Sequence, residues 1–204
     1  MAEPAPTADL GWLWYTQKTG DCAPLDRRIY PSVIYDGYPK PWPAWVCGGP
    51  STGGHINATL AAIDVHLEKR PNHRDEVSWT CDFGVFLVAK AWFAAIEDLV
   101  DRESVFVGDV LLDGVKLDAW ATVHGRLNPA LSSRSGSTRH CPNCGNVATV
   151  IHGRVFFADP AVIGRPLIVN WNGIFVREDI AASRSLRTPK GAFKPSVVRF
   201  KGVA

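Results

Sequence analysis

Val105-Phe106-Val107-Gly108-Asp109-Val110-Leu111-Leu112, then Asp113-Gly114, then Val115-Lys116-Leu117-Asp118-Ala119-Trp120-Ala121-Thr122-Val123-His124, is the stretch that decides the fold class. Two strand-like runs flank an Asp-Gly pair. The tightest hairpin turn needs positive φ at both central residues, which Asp and Gly adopt at little cost. The stretch therefore reads as a β-hairpin. Just upstream, Phe83 to Val88 is a nearly continuous apolar run, the pattern of a buried strand. It leads into Trp92, Phe93, Ile96, Leu99 and Val100, spaced as one face of a helix. Further upstream, Ile56, Leu60, Ile63 and Leu67 fall at i, i+4, i+7 and i+11, which predicts a helix closed by Pro71.

The rest of the chain mixes the same parts. Leu10 to Tyr15 and Ser32 to Tyr35 read as short strands. Prolines recur between Pro39 and Pro50 too often for regular structure. Gly48-Gly49-Pro50-Ser51-Thr52-Gly53-Gly54 lacks the Gly-Lys-Ser/Thr ending of a phosphate loop and reads as a turn. Residues 131–139 read as a polar loop. Val147–Ile151 and Val155–Phe157 flank His152-Gly153-Arg154 as a second hairpin. Leu167–Val169, Ile174–Val176 and Ser196–Phe200 are short strands, and Glu178–Leu186 is a short helix with acids first and arginine last. Phe86-Leu87-Val88 before Trp92 echoes Ile174-Phe175-Val176 before Ile180, each a strand running into a helix. No regular βαβ rhythm appears. The expected class is α+β, with a mixed or antiparallel sheet and a few short amphipathic helices. Its core is expected to include Phe86, Val88, Trp92, Ile96, Trp120, Phe157 and Phe175.

The 204 residues suffice for one sizeable core. A single domain over 1–204 is expected, with an aromatic and proline-rich part at 1–54 and a strand–helix core at 55–204. With 46% hydrophobic and 21% charged residues, the composition excludes a disordered acidic tail, a collagen or a coiled coil. No run approaches the ~18 apolar residues of a membrane helix. Met1-Ala2-Glu3-Pro4 lacks the basic-then-apolar pattern of a secretory signal, and the five cysteines are an odd number, so a cytoplasmic location is expected. The net charge of +2 conceals a split. Residues 1–125 hold ten Lys/Arg against seventeen Asp/Glu, or −7; residues 126–204 hold twelve against three, or +9. Such a split fits nucleic acid, an acidic partner, two parts that attract each other, or a solvated basic tail.

His140-Cys141-Pro142-Asn143-Cys144-Gly145 is the sharpest chemical signal. A Cys-x-x-Cys turn aims two sulfurs at one point, and the glycine lets backbone amides face them. This is half of a tetrahedral zinc site. The alternatives are a turn with two free thiols and a redox dithiol, although the motif does not open a helix, where thiolates gain stabilisation. Cys22, Cys47 and Cys81 are single, and His55, His140 and His152 are available as ligands. His66 and His73 read as satisfied or exposed surface histidines, the acid pairs Asp75/Glu76 and Glu97/Asp98 as solvated, and Glu178-Asp179 as helix N-terminal charge. No hydrolase, nucleotide or kinase motif is present, so no catalytic residue is assigned and the chain is not expected to be an enzyme. Trp42 and Trp45, in the proline segment, are the candidate binding surface, because stiff aromatics lose little entropy on docking.

The second half resembles the double-CXXCG-motif family of bacterial toxin-immunity proteins. The resemblance rests on Phe86-Leu87-Val88 entering a helix, the strands 105–112 and 115–125, Cys141-Pro142-Asn143-Cys144-Gly145, and Asn172 to Ile180, and it covers roughly residues 83–183. It implies a cytoplasmic antidote to a toxin encoded beside it. It also implies a second CxxCG near the N-terminus, the two together completing a zinc site. Ala44-Trp45-Val46-Cys47-Gly48 sits at that place with alanine for the first cysteine. The implied metal ligands are Cys141, Cys144 and Cys47, with His55, His140 or His152 as the fourth; the other possibility is a decayed site on a self-sufficient core.

Two functions follow as expectations. In one, the chain is an immunity protein that neutralises a cognate toxin by direct binding. In the other, it is a zinc-ribbon-like nucleic-acid-binding protein using Cys141, Cys144 and the basic C-terminal part.

Overall fold

Asp113 at φ 51° and Gly114 at φ 76° make the turn the sequence requires, and Val105–Leu112 (β7) pairs antiparallel with Val115–Gly125 (β8) on either side. The computed structural model describes residues 11–16, 25–26, 28–29, 46–49, 53–56, 62–72, 74–79, 85–125, 131–133, 138–144, 147–149, 155–157, 160–170 and 172–201. Around the hairpin stand Val65–Leu67 (β4), Val77–Trp79 (β5) and Phe86–Ala89 (β6), in the sheet order β4-β7-β8-β6-β5. A second sheet is built from Gly11–Tyr15 (β1), Leu131–Ser133 (β9), Val155–Phe157 (β12), Leu167–Asn170 (β13), Gly173–Arg177 (β14) and Ser196–Phe200 (β15). Its order is β13-β14-β1-β15-β12-β9. Among the described strands each sheet contains one parallel pair, β4 with β7 and β12 with β15, so both are mixed. Two small hairpins stand apart: Val46–Gly49 (β2) with Gly53–Ile56 (β3), and Thr138–His140 (β10) with Val147–Thr149 (β11).

The described residues are mostly sheet, with two short α-helices, Lys90–Phe93 (α1) and Glu178–Ser183 (α2). That is compatible with a mainly β or an α+β fold. None of these helices is long and apolar enough to cross a membrane.

Among the described residues, apolar side chains on both strand faces build three clusters. Between the sheets, Val77, Phe86, Val88, Val105, Ala121 and Val123 meet Tyr15, Leu167, Val169, Ile174 and Val176. The helical segments add Trp92, Phe93, Ile96 and Ala181. Period two sends the intervening residues to the far faces. Leu87 joins Ile63, Val65, Leu67, Val110 and Trp120 outside one sheet, while Phe175 and Ile168 join Trp12, Phe157 and Val198 outside the other. All seven residues expected in the core are buried, divided among these clusters. Three indole N–H groups are satisfied by main-chain carbonyls: Trp12 donates to the Arg165 carbonyl at 3.0 Å, Trp14 to Asn172 at 2.9 Å and Trp92 to Arg187 at 3.2 Å. Gly125 lies where β8 reaches β13, and any Cβ there would overlap the Val169 carbonyl.

Four local expectations are corrected. Residues 62–67 are not helical: Ile63, Val65 and Leu67 alternate with Asp64 and His66, and this period-two pattern, continuing into β4, overrides the helical spacing. Val46–Gly49 is a strand, because the segment's prolines stop at Pro43 before resuming at Pro50. The stretch 131–139 contributes β9 and the start of β10. Finally, β11 pairs with β10, and β12 with β15 and β9, so the expected 147–157 hairpin is replaced by one enclosing Cys141 and Cys144. The helix beginning near Trp92 is a single turn followed by a 3-10 turn at Glu97–Leu99. The strand expected at Ser32–Tyr35 lies outside the described residues.

The charge split is partly consumed inside the fold. Arg165 pairs with Asp101 at 2.7 Å, Arg184 with Asp98 at 2.7 Å and Arg187 with Glu76 at 2.7 Å. Glu76 also accepts the Lys190 N–H at 2.9 Å, and its own N–H donates to the Lys190 carbonyl at 2.8 Å. Glu76 and Asp98, read from sequence as solvated, are the acidic halves of clasps holding residues 184–190 against the five-stranded sheet. The Arg184 guanidinium holds the Asp98 carboxyl below its ordinary value. Ser104, the Glu103 N–H and Arg165 do the same for Asp101. Burial opposes ionisation of Glu76, but Arg187 and the Lys190 N–H outweigh it.

Trp92→Ala should cost about 3–5 kcal/mol in chemical denaturation, the range for deleting a buried aromatic. Gly125→Ala should cost about 3 kcal/mol or more, because the obstacle is backbone. Mutants as stable as the parent chain would contradict this packing.

Folded carboxyl values lowered below the unfolded ones stabilise above the ordinary carboxylate range, near pH ~4, and that contribution is lost as pH falls through the folded values. Melting temperature followed from pH 7 downward should drop in acid. The double variant Arg184→Gln/Arg187→Gln should melt lower than the parent at pH 7, with the gap closing in acid and in high salt. A gap unchanged by pH and salt would show that the clasps do not act electrostatically.

Candidate metal centre

Thr138–His140 and Val147–Thr149 run antiparallel with His140 opposite Val147, so the turn carrying Cys141 and Cys144 projects from the end of this hairpin. Proline stiffens the turn, and two intervening residues are enough to bring both sulfurs to one side. The second hairpin supplies Cys47, on β2 opposite His55 of β3. The Sγ atoms of Cys47 and Cys141 are 3.7 Å apart, across 94 residues of chain, and the three sulfurs lie within 4.8 Å of one another. Cys141 is buried, while Cys47 and Cys144 are half-buried.

The two facing thiols differ. Burial, reinforced by the neighbouring sulfurs, pushes Cys47 up to about 12. Burial acts the same way on Cys141, but the backbone N–H groups of Cys144 and Asn143 and the facing thiols outweigh it and hold Cys141 below the usual thiol value. A negative charge on Cys141 is therefore stabilised by backbone dipoles, the arrangement a metal-binding thiolate needs. Three sulfur donors converging from two hairpins can hold one metal ion.

Cys141, Cys144 and Cys47 are thus brought together. Of the candidates for a fourth ligand, the backbone places His55 across from Cys47 and His140 immediately before Cys141, whereas His152 lies outside the described residues. Trp42 and Trp45, the candidate binding residues, also lie outside them. The backbone amides expected to face the sulfurs are those of Asn143 and Cys144, both directed at Cys141. The stacking of β10 on β11, which presents the turn, was hidden by the polar character of 131–139.

Titration of the reduced protein with Co²⁺ should produce thiolate-to-metal charge-transfer absorption saturating near one equivalent. Cys47→Ser should weaken the metal at least tenfold and alter the spectrum; a titration indifferent to Cys47 would detach that residue from the centre.

Scans of protein-family models and of curated proteins find no match to this chain.

Proposed function

We propose that this chain is a non-catalytic immunity protein of the cytoplasm, an α+β domain that neutralises a cognate bacterial toxin by direct binding and is braced by a zinc ion on Cys47, Cys141 and Cys144. The observation that carries the reading is the meeting of Cys47 with the Cys141–Cys144 turn. A second, incomplete knuckle joining the first is what the resemblance implies, and local spacing does not require it.

Zinc suits the donors. With Zn–S bonds of about 2.3 Å, the edge of a tetrahedron is roughly 3.8 Å, and the Cys47–Cys141 separation is 3.7 Å. Bound there, zinc would join two hairpins that belong to neither large sheet. Such bracing gives a binding surface the stiffness that tight association rewards. A standard interface of about 1,600 Å² reaches nanomolar affinity when a few anchors are well packed; Trp42 and Trp45 are the candidate anchors. The nucleic-acid alternative loses support from the clasps, because Arg165, Arg184 and Arg187 already face Asp101, Asp98 and Glu76.

Co-expression with the toxin gene lying beside this one tests the proposal. Cells should survive with the protein and die without it, and Trp42→Ala/Trp45→Ala should reduce protection. Purified protein should carry close to one equivalent of zinc by elemental analysis. If the toxin kills regardless and the protein is instead retained on DNA in a salt-dependent way, the nucleic-acid reading replaces this one.

A further inference from the structure

The cluster holds three sulfurs, and that number has a chemical meaning apart from metal binding. Cys47 and Cys141 face each other at 3.7 Å. An S–S bond measures about 2.05 Å, so the two sulfurs already stand close to bonding distance. Cys144, within 4.8 Å of both, is left over. Cys47 and Cys144 are half-buried, so a small oxidant can reach the cluster from solvent.

We infer that Cys47 and Cys141 form a redox modification site: a peroxide converts the facing pair to a disulfide, ejects the metal ion and leaves Cys144 as a free thiol. The inference rests on the proposed reading of the three cysteines as one site, and it does not require that metal be bound. The step balances. One thiol reacts with the peroxide, the O–O bond breaks, and a sulfenic acid and one water form. The facing thiol then attacks the sulfenic sulfur, the S–O bond breaks, and the second water leaves. From two free thiols the sulfur pair loses two electrons and two protons, and one peroxide becomes two waters; from two metal-bound thiolates the same two electrons are lost and the two protons come from solvent as the ion leaves. Only Cys144 then remains as a thiolate donor, too few for a closed structural site.

The geometry also gives the oxidised form a purpose. The β2–β3 and β10–β11 hairpins belong to neither large sheet. Metal joins them in the reduced state, and the disulfide joins them when the metal is lost. The contact would therefore survive oxidation instead of falling apart with the zinc.

Peptide mapping of the full-length protein tests this. Folded protein, zinc-loaded in one arm and stripped by chelator in the other, is treated with hydrogen peroxide near one equivalent, blocked with N-ethylmaleimide and only then denatured. Trypsin isolates Cys47 in residues 29–69 and both Cys141 and Cys144 in residues 140–154. The expected product joins these two peptides with one blocked thiol remaining, and in the zinc-loaded arm about one zinc ion is released per link. Cys144→Ser should keep the link and Cys141→Ser should abolish it. A disulfide inside 140–154, pairing of Cys47 with Cys22 or Cys81, or blocked thiols at all of Cys47, Cys141 and Cys144 after treatment would each overturn the inference. If the reduced protein takes up no zinc yet the link forms, the zinc reading alone fails. If zinc binds and the link does not form, this inference alone fails.

Discussion

The insertion of Gly11–Tyr15 between β14 and β15 is the constraint on which the larger sheet depends. This strand runs antiparallel to both neighbours, placing Trp14 opposite Phe175 on one side and opposite Ser196 on the other. Without it, β13 and β14 would be a detached hairpin, and β15, β12 and β9 a three-stranded fragment. Its side chains divide with period two: Leu13 and Tyr15 pack between the sheets, Trp12 and Trp14 on the far face. Trp14 stacks on Phe175 at 5.7 Å, Trp12 meets Phe157 edge-on at 5.3 Å, and Tyr15 meets Trp92 edge-on at 5.8 Å. Five residues thus tie one sheet together and touch two of the three apolar clusters.

Charge supplies the second tie. The acidic first part and basic second part look, along the chain, like two surfaces prepared for foreign partners. In the fold, α2 and the segment after it bring Arg184 and Arg187 onto Asp98 and Glu76. Exposed pairs of this kind contribute little singly. Here they act beside backbone hydrogen bonds from Glu76 and to it, and beside the Trp92 indole held by the Arg187 carbonyl. The basic segment is thereby a structural strap, and its charge is partly neutralised at home.

Legibility in the sequence followed the range of the interaction. The 105–124 hairpin could be read because its turn chemistry and its pairing are both local. Phe86–Val88 and Ile174–Val176 could be read as strands because burial on both faces leaves a continuous apolar run. The run from Ile56 to Leu67 satisfied two periods at once, and only the tertiary environment chose the strand for its end. The Cys141–Cys144 turn was evident from spacing. Cys47 was named only through the family resemblance, because a single cysteine carries no spacing signal and its partner lies 94 residues away. The clasps were invisible for the same reason, since residue type names a charge and leaves its partner open.

The position of β1 has a consequence for how the protein is made. Its Trp14 indole bonds to Asn172, 158 residues later, and its Gly11 N–H to Glu178, 167 residues later. At roughly 5–20 residues per second of synthesis, the first strand leaves the ribosome about 10–30 s before its neighbours exist. Throughout that interval the segment bearing Trp12, Trp14 and Tyr15 has no native sheet to enter. The hairpin of β7 and β8 has all its residues by position 125 and can form meanwhile. The larger sheet is therefore the last part of the molecule to be assembled, and β1 waits through most of the synthesis of these residues for the strands that flank it.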